Sequence, residues 1–413
     1  MKHSIYNVIE ENNHFYLIYN LLQSTCVILN DQEYQQFQSF STDEKTTNTL
    51  LKLGMYVEDN IQEEDIVHFR SKRASVFNNV QFYRIYSSLA CNAKCPYCYE
   101  KGVAFTHMTI QTAQSVCRFI MQNVKPNSIL LVEWFGGEPL INMPIIDYVS
   151  KRLKTACRKK NIVFKANMVS NGFLFDEKVV KKAVNVWNLT RVQITLDGLK
   201  ETYEKIKGFA EKNAFEKVLR NIKILLDANV FVSIRLNYDE NNLHEILQLI
   251  TFLGKNFAKY KNLFVYAKKI MAPELDNSLT ASEDLDIVIL KQLLKNKLIK
   301  NVLNTIPTRF NACIAKQVDA FVILPNGDVG KCSQALNDGD VVGNIVGGIN
   351  ENKIARWCTT NLPEKCNHCK LLPMCYGGCA YEYFLHKNFC FASEKTLRFK
   401  LQYYLEQYVK KHN

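Results

Sequence analysis

Cys91-Asn92-Ala93-Lys94-Cys95-Pro96-Tyr97-Cys98-Tyr99 sets three cysteines at C-x3-C-x2-C. It follows Phe82-Tyr83-Arg84-Ile85-Tyr86-Ser87-Ser88-Leu89, whose aromatic and β-branched residues predict a strand. Three thiolates on one short loop can hold three irons of a [4Fe–4S] cube, leaving the fourth iron open to a ligand that is not protein. The same spacing suits a zinc loop that takes a distant fourth ligand, or a loop of unpaired thiols. The residues on either side decide between these readings.

Working outward, the chain alternates between two periodicities. Strand patterns cover 83–89, 129–134, 162–169, 191–196, 230–237 and 263–268, with helical patterns over 109–123, 145–159, 176–185, 214–228 and 243–255. Repeated βα units predict a parallel sheet with helices outside. In parallel barrels chemistry collects where strands end, and the three cysteines follow the first strand. The second strand ends in Gly136-Gly137-Glu138-Pro139, where two glycines let a backbone approach a ligand closely and adopt φ > 0. The third ends in Ser170-Asn171-Gly172 and the fourth in Thr195-Leu196-Asp197-Gly198. The fifth carries Arg235 and Asn237 on one face by its period of two. Asn-Gly and Asp-Gly are also common turn dipeptides, and a single Arg also serves as a surface ion pair.

A second cysteine pattern closes the chain. Cys313, Gly327 and Cys332 give C-x13-G-x4-C; Cys366, Cys369, Cys375 and Cys379 give C-x2-C-x5-C-x3-C; Cys390 follows. Eight of the 14 cysteines lie at or after Cys313, which in a reducing compartment reads as metal ligation. Zinc ribbons are the competing reading of paired C-x2-C units. Phe321–Val329 reads as a hairpin around Asn326-Gly327. At the other end, residues 1–75 show short strands, a cap at Asn30-Asp31 and two short helices, while 63–73 is charged and reads as a linker.

The 413 residues exceed one ordinary domain, and 47% hydrophobic content supports packed cores. No apolar run approaches the roughly 20 residues of a membrane span. No signal peptide is visible, so a cytoplasmic location is expected. The net charge of +12 permits an acidic partner, but no RNA-recognition motif accompanies it, so nucleic acid is not the expected one.

The three-cysteine loop, Gly136-Gly137-Glu138-Pro139 and the seven later cysteines together resemble the radical S-adenosylmethionine (SAM) enzymes with a SPASM extension, of the peptide-maturase type. The resemblance implies an α/β fold. A partial (β/α)6 TIM-type barrel would span 80–270, after a small α+β, winged-helix-like, peptide-recognition domain over 1–75. A connector at 271–312, a SPASM domain at 313–392 and a C-terminal helix at 393–413 would follow. Three [4Fe–4S] clusters and SAM are implied. Cys91, Cys95 and Cys98 would hold the SAM cluster; Cys366, Cys369, Cys375 and Cys390 one auxiliary cluster; Cys313, Cys332 and Cys379 the other. That last set is one thiolate short, with Cys358 spare nearby. Gly136, Gly137, Glu138 and Pro139 would hold the SAM amino group, Ser170 and Asn171 the ribose, and Arg235 the carboxylate, with Asp197 near the substrate. The implied activity is hydrogen abstraction by a 5′-deoxyadenosyl radical from a precursor peptide with a leader. A thioether or other cross-link would form, with flavodoxin or ferredoxin as electron donor. Three alternatives remain. One is formylglycine formation as in anaerobic sulfatase maturases, where an Asp follows the equivalent of Cys332 and this chain has Ser333. The others are RNA modification and a ferredoxin-like carrier role.

Overall fold

The computed structural model describes residues 1–100, 106–270, 280–307, 313–335, 337–359, 362–382, 390 and 392–412. Parts of the expected connector, 271–279 and 308–312, lie outside the described residues. The chain divides into two compact units.

One unit comprises Asn78–Ile299 and Val318–Cys358. Its elements are β1 (Val80–Ser88), α1 (Ile110–Asn123), β2 (Ile129–Gly136), α2 (Met143–Lys159), β3 (Val163–Ser170), α3 (Glu177–Asn185), β4 (Leu189–Leu196), α4 (Lys200–Lys207), α5 (Ala214–Asp227), β5 (Phe231–Tyr238), α6 (Leu243–Phe257) and β6 (Leu263–Lys269). The six strands are parallel neighbours in the order β6-β5-β4-β3-β2-β1. The sheet continues past β1 through Phe321–Ile323, which pairs parallel to it with Phe321 opposite Tyr83. Phe321–Ile323 then folds back on Asp328–Gly330 around Gly327, whose φ is +92°. Alternate residues of β2 point into the core, with Leu130, Val132 and Trp134 fully buried. The helices present apolar stripes, such as Phe215, Val218, Ile222 and Leu225 of α5. Helix α4 is absent from the expected list. Its sequence, Lys-Glu-Thr-Tyr-Glu-Lys-Ile-Lys, is polar nearly throughout, yet Tyr203 and Lys207, one turn apart, both face inward.

The other unit comprises Met1–Phe77, Lys300–Gln317 and Thr359–Asn413. Strands Asn7–Asn12, Phe15–Asn20 and Thr25–Asn30 form an antiparallel meander. Asn30 caps the helix Asp31–Gln38 in a reciprocal box with Glu33. Asp43 caps Glu44–Lys52. The stretch read as a charged linker is a helix, Glu63–Val76. Its charges are placed to favour one, with Glu63, Glu64 and Asp65 in the first turn and Arg73 in the last. The carboxylate of Glu63 is spent inside the unit, accepting from Ser4 Oγ and the Ile5 amide. The C-terminal helix Glu394–His412 lays Leu397, Leu401, Leu405 and Val409 into the same core as Val8, Leu17 and Tyr19. Arg398 and Gln402 both bond the buried Glu10 carboxylate. Leu371, Leu372 and Met374 join this core, and Cys366 and Cys369 pack against it. Among the described residues no helix is long and apolar enough to cross a membrane.

Candidate active site

The cysteine loop leaves β1 and is stitched to the end of β2 by two backbone bonds, Gly137 N to Ser88 O (3.2 Å) and Glu138 N to Ala90 O (2.9 Å). This close approach is what requires the glycines. Gly136 sits at φ +121°, and a Cβ there would lie 2.1 Å from Ser88 O. A Cβ on Gly137 would lie 2.4 Å from Ala90 O. The glycines therefore admit the loop's own backbone. Gly136→Ala should cost several kcal/mol through this clash and the unfavourable φ; a thermal-unfolding midpoint equal to the parent's would contradict it.

Glu138 is fully buried. Its Oε1 accepts from the Leu140 amide (3.1 Å) and Ser170 Oγ (3.0 Å). Its Oε2 accepts from the Asn171 amide (2.9 Å) and again from Ser170 Oγ (3.0 Å). Burial pushes its carboxyl up to about 7, although these donors and Lys207 pull the other way. Pro139, next along, begins a short 3-10 turn, and its carbonyl accepts from Ser87 Oγ. Asn171 donates from Nδ2 to Asn92 Oδ1 (2.7 Å) and toward Cys91 Sγ (3.8 Å). The ends of β1, β2 and β3 thus form one bonded shell around the cysteine loop.

On the β4 and β5 side, Asp197 is fully buried and forms an ion pair with Lys207 (Nζ–Oδ2 3.0 Å). Its Oδ1 accepts from Tyr97 (2.5 Å) and from Asn237 Nδ2 (3.0 Å). Arg235 donates from Nε to Asn237 Oδ1 (2.8 Å). Further along β1, Arg84 pairs with Glu133 and stands 4.5 Å over the Phe135 ring. The sequence reading missed Lys207, Tyr97 and Asn92. Lys207 had one usable signal, its i,i+4 spacing from Tyr203 just before Gly208.

The thiols suit a cluster in donor type and surroundings. All three are partly buried, and Cys91 Sγ also accepts from the Ala93 amide (3.4 Å). Hydrogen bonds to sulfur are a recognised influence on iron–sulfur sites. Burial pushes the Cys91 thiol up to about 11 and raises Cys98, and Cys95 adds to both shifts. Metal uptake here must therefore expel protons. Glu100, two residues on, is also buried, and burial pushes it up to about 7. Among the described residues no three His, Cys, Asp or Glu already stand in a metal-holding group. The fit rests on the donor set and on the backbone cradle.

In the other unit, the Cys366 thiol is raised by burial and then by Cys369, Cys375 and Cys390. Cys379 is raised by burial and, among charged neighbours, first by Cys313. Tyr376, Gly377 and Gly378, between Cys375 and Cys379, all have left-handed φ values. Lys316 donates to the Tyr376 carbonyl at 3.4 Å. Cys332 and Cys358 belong to the sheet-containing unit, where Cys358 is half-buried near Lys331.

The radical SAM superfamily matches residues 85–253, which lie within the sheet-containing unit. A GTP 3′,8-cyclase of Clostridium perfringens is 30% identical over 212 residues, 51% of this chain and 62% of that protein. The antilisterial bacteriocin subtilosin biosynthesis protein AlbA of Bacillus subtilis is 25% identical over 179 residues, 41% of this chain and 36% of that protein. The chain thus aligns with under two thirds of either relative's length. Among solved structures, anSMEcpe with bound AdoMet and the Kp18Cys peptide matches with a TM-score of 0.60 at 18% identity, covering 80% of this chain and 98% of that one. Streptococcus suis SuiB bound to precursor peptide SuiA matches with a TM-score of 0.55 at 17% identity, covering 94% and 97%. At these identities the likeness is one of fold.

Proposed function

We propose that this chain is a radical SAM oxidoreductase that modifies a ribosomally made precursor peptide, forming a thioether or other cross-link. The observation that carries the reading is the three-cysteine loop at the end of β1, bonded into a shell that includes Glu138, Ser170 and Asn171. Relatives and fold neighbours named for bacteriocin biosynthesis or holding peptides supply the substrate class.

With a [4Fe–4S] cluster at Cys91, Cys95 and Cys98, bound SAM supplies one-electron cleavage that initiates hydrogen abstraction. The chain's own residues prepare the place. Glu138 fixes Asn171 and Ser170 at the end of β3. Arg235, held at Nε by Asn237, would meet a carboxylate such as that of SAM through its terminal nitrogens. Gly136 and Gly137 hold the loop against β2. The later cysteines would carry two auxiliary clusters within a SPASM extension, accepting the electron that cross-linking leaves behind. The six βα units would form the partial barrel, and the N-terminal meander would receive the leader at an open strand edge. Flavodoxin or ferredoxin would be the donor.

The test is anaerobic turnover of the reconstituted full chain with SAM, reductant and candidate precursor peptides drawn from short reading frames next to its gene. Loss of two hydrogens per cross-link is expected by mass spectrometry. Because the first 77 residues share a core with the C-terminal helix, leader affinity is best measured on the intact chain. The cyclase match supports a second reading, GTP as substrate. Conversion of GTP with an unchanged peptide would establish it and overturn the first.

A further inference from the structure

We propose that Lys207 and Asp197 form a buried charge pair that positions the middle of the three-cysteine loop and sets how readily that site accepts an electron. The inference rests on the reading that the loop holds a cluster.

Lys207 is 3% exposed and Asp197 fully buried. Two charges withdrawn from water are costly unless paired and hydrogen-bonded all round. Here Asn237 supplies one further bond to Asp197, and the others go to the cysteine loop. The Tyr97 hydroxyl donates to Asp197 Oδ1 at 2.5 Å and accepts from Lys207 Nζ at 3.3 Å. The Lys94 amide donates to the Lys207 carbonyl at 2.6 Å. Cys95 is therefore bracketed, since Lys94 just before it and Tyr97 just beyond it are both held by one lysine. Gly208 ends α4 at φ +57°, and a Cβ there would already lie 3.3 Å from Lys94 Cβ, so the two backbones are as close as side chains permit.

The surroundings keep the charge effective. Lys207 Nζ lies 5.8 Å from the Tyr203 ring centroid and 5.9 Å from that of Tyr97. Burial works against its ammonium, yet Asp197, Tyr97, Cys95 and Tyr203 together outweigh it and hold the proton. In so dry a site a unit charge acts strongly on neighbouring thiolates. Lys200 of the same helix points outward to Glu216 and makes no such contact.

The pair is neutral as a whole, so removing either member should act in opposite directions. A lost ammonium leaves negative charge and disfavours reduction; a lost carboxylate leaves positive charge and favours it. A merely structural clamp would move both variants the same way. The full chain is reconstituted anaerobically, and the EPR signal that responds to SAM is titrated against solution potential at pH 8. Parent, Lys207→Met, Lys207→Arg and Asp197→Asn are compared. Lys207→Met should shift to lower potential and Asp197→Asn to higher, each by about tenfold in the reduced-to-oxidised ratio at fixed potential. Lys207→Arg should stay near the parent. Unchanged potentials, or shifts of the same sign, would overturn the inference while leaving the cluster intact. If Lys207→Met takes up no iron, Asp197→Asn decides alone, and a potential at or below the parent's overturns it. A parent that binds no iron through Cys91, Cys95 and Cys98 would remove the underlying reading before any variant is compared.

Discussion

Replacing Cys91, Cys95 and Cys98 together with Ala should abolish 5′-deoxyadenosine formation from SAM and leave the chain folded. The three side chains are partly buried on a loop whose position is set mainly by other bonds, Gly137 N to Ser88 O, Glu138 N to Ala90 O and Lys94 N to Lys207 O. Losing each sulfur removes a small hydrophobe, costing about 1 kcal/mol or less. Losing all three removes every thiolate of the loop. Iron content should fall by about four atoms from about twelve if two further clusters are present. The outcome that would sink the assignment is continued reductive cleavage of SAM by the triple variant.

Glu138 should make the chain less stable as pH rises through the mildly acidic range. Its carboxyl lies near 4.5 when unfolded and is pushed up to about 7 by burial in the native chain. The folded form therefore holds the proton more tightly. Between about pH 4.5 and pH 7 the folded state binds more protons than the unfolded one, so stability declines across that window. The full difference is about 3 kcal/mol, reached near pH 7. Glu100 acts in the same direction for the same reason. Glu138→Gln removes the titration but leaves an amide facing the Asn171 or Leu140 donor, at about 1–3 kcal/mol. Urea-unfolding midpoints from pH 4.5 to 7.5 should thus show a lower but flatter curve for the variant. Parallel curves for parent and variant would refute the role.

Much of the sheet was legible from the sequence because each strand carries its own period and ends in a turn. The three-cysteine loop announced itself by spacing, and the glycines by being paired. What the glycines are for was not legible, since the atoms they make room for, Ser88 O and Ala90 O, lie nearly fifty residues away. Glu138 read as a ligand contact because it follows them, whereas in the fold its oxygens face Leu140, Ser170 and Asn171. Lys207 was lost among the surface lysines of a polar helix, because its spacing from Tyr203 gains meaning only beside the buried Asp197. The charged run at 63–73 misled through composition alone. Its order, acids first and a base last, is what a helix favours.

The shared core of the chain's beginning and end has a bearing on how the protein is made. Val8, Leu17 and Tyr19 leave the ribosome nearly four hundred residues before their partners Leu397, Leu401, Leu405 and Val409. The sheet-containing unit ends at Cys358. It can therefore mature during synthesis, while the meander waits with an apolar face uncovered until the partner helix is made. That interval is when a chaperone would have something to bind. A stop codon ahead of Leu397 would leave the wait without an end, directing the product to proteolysis.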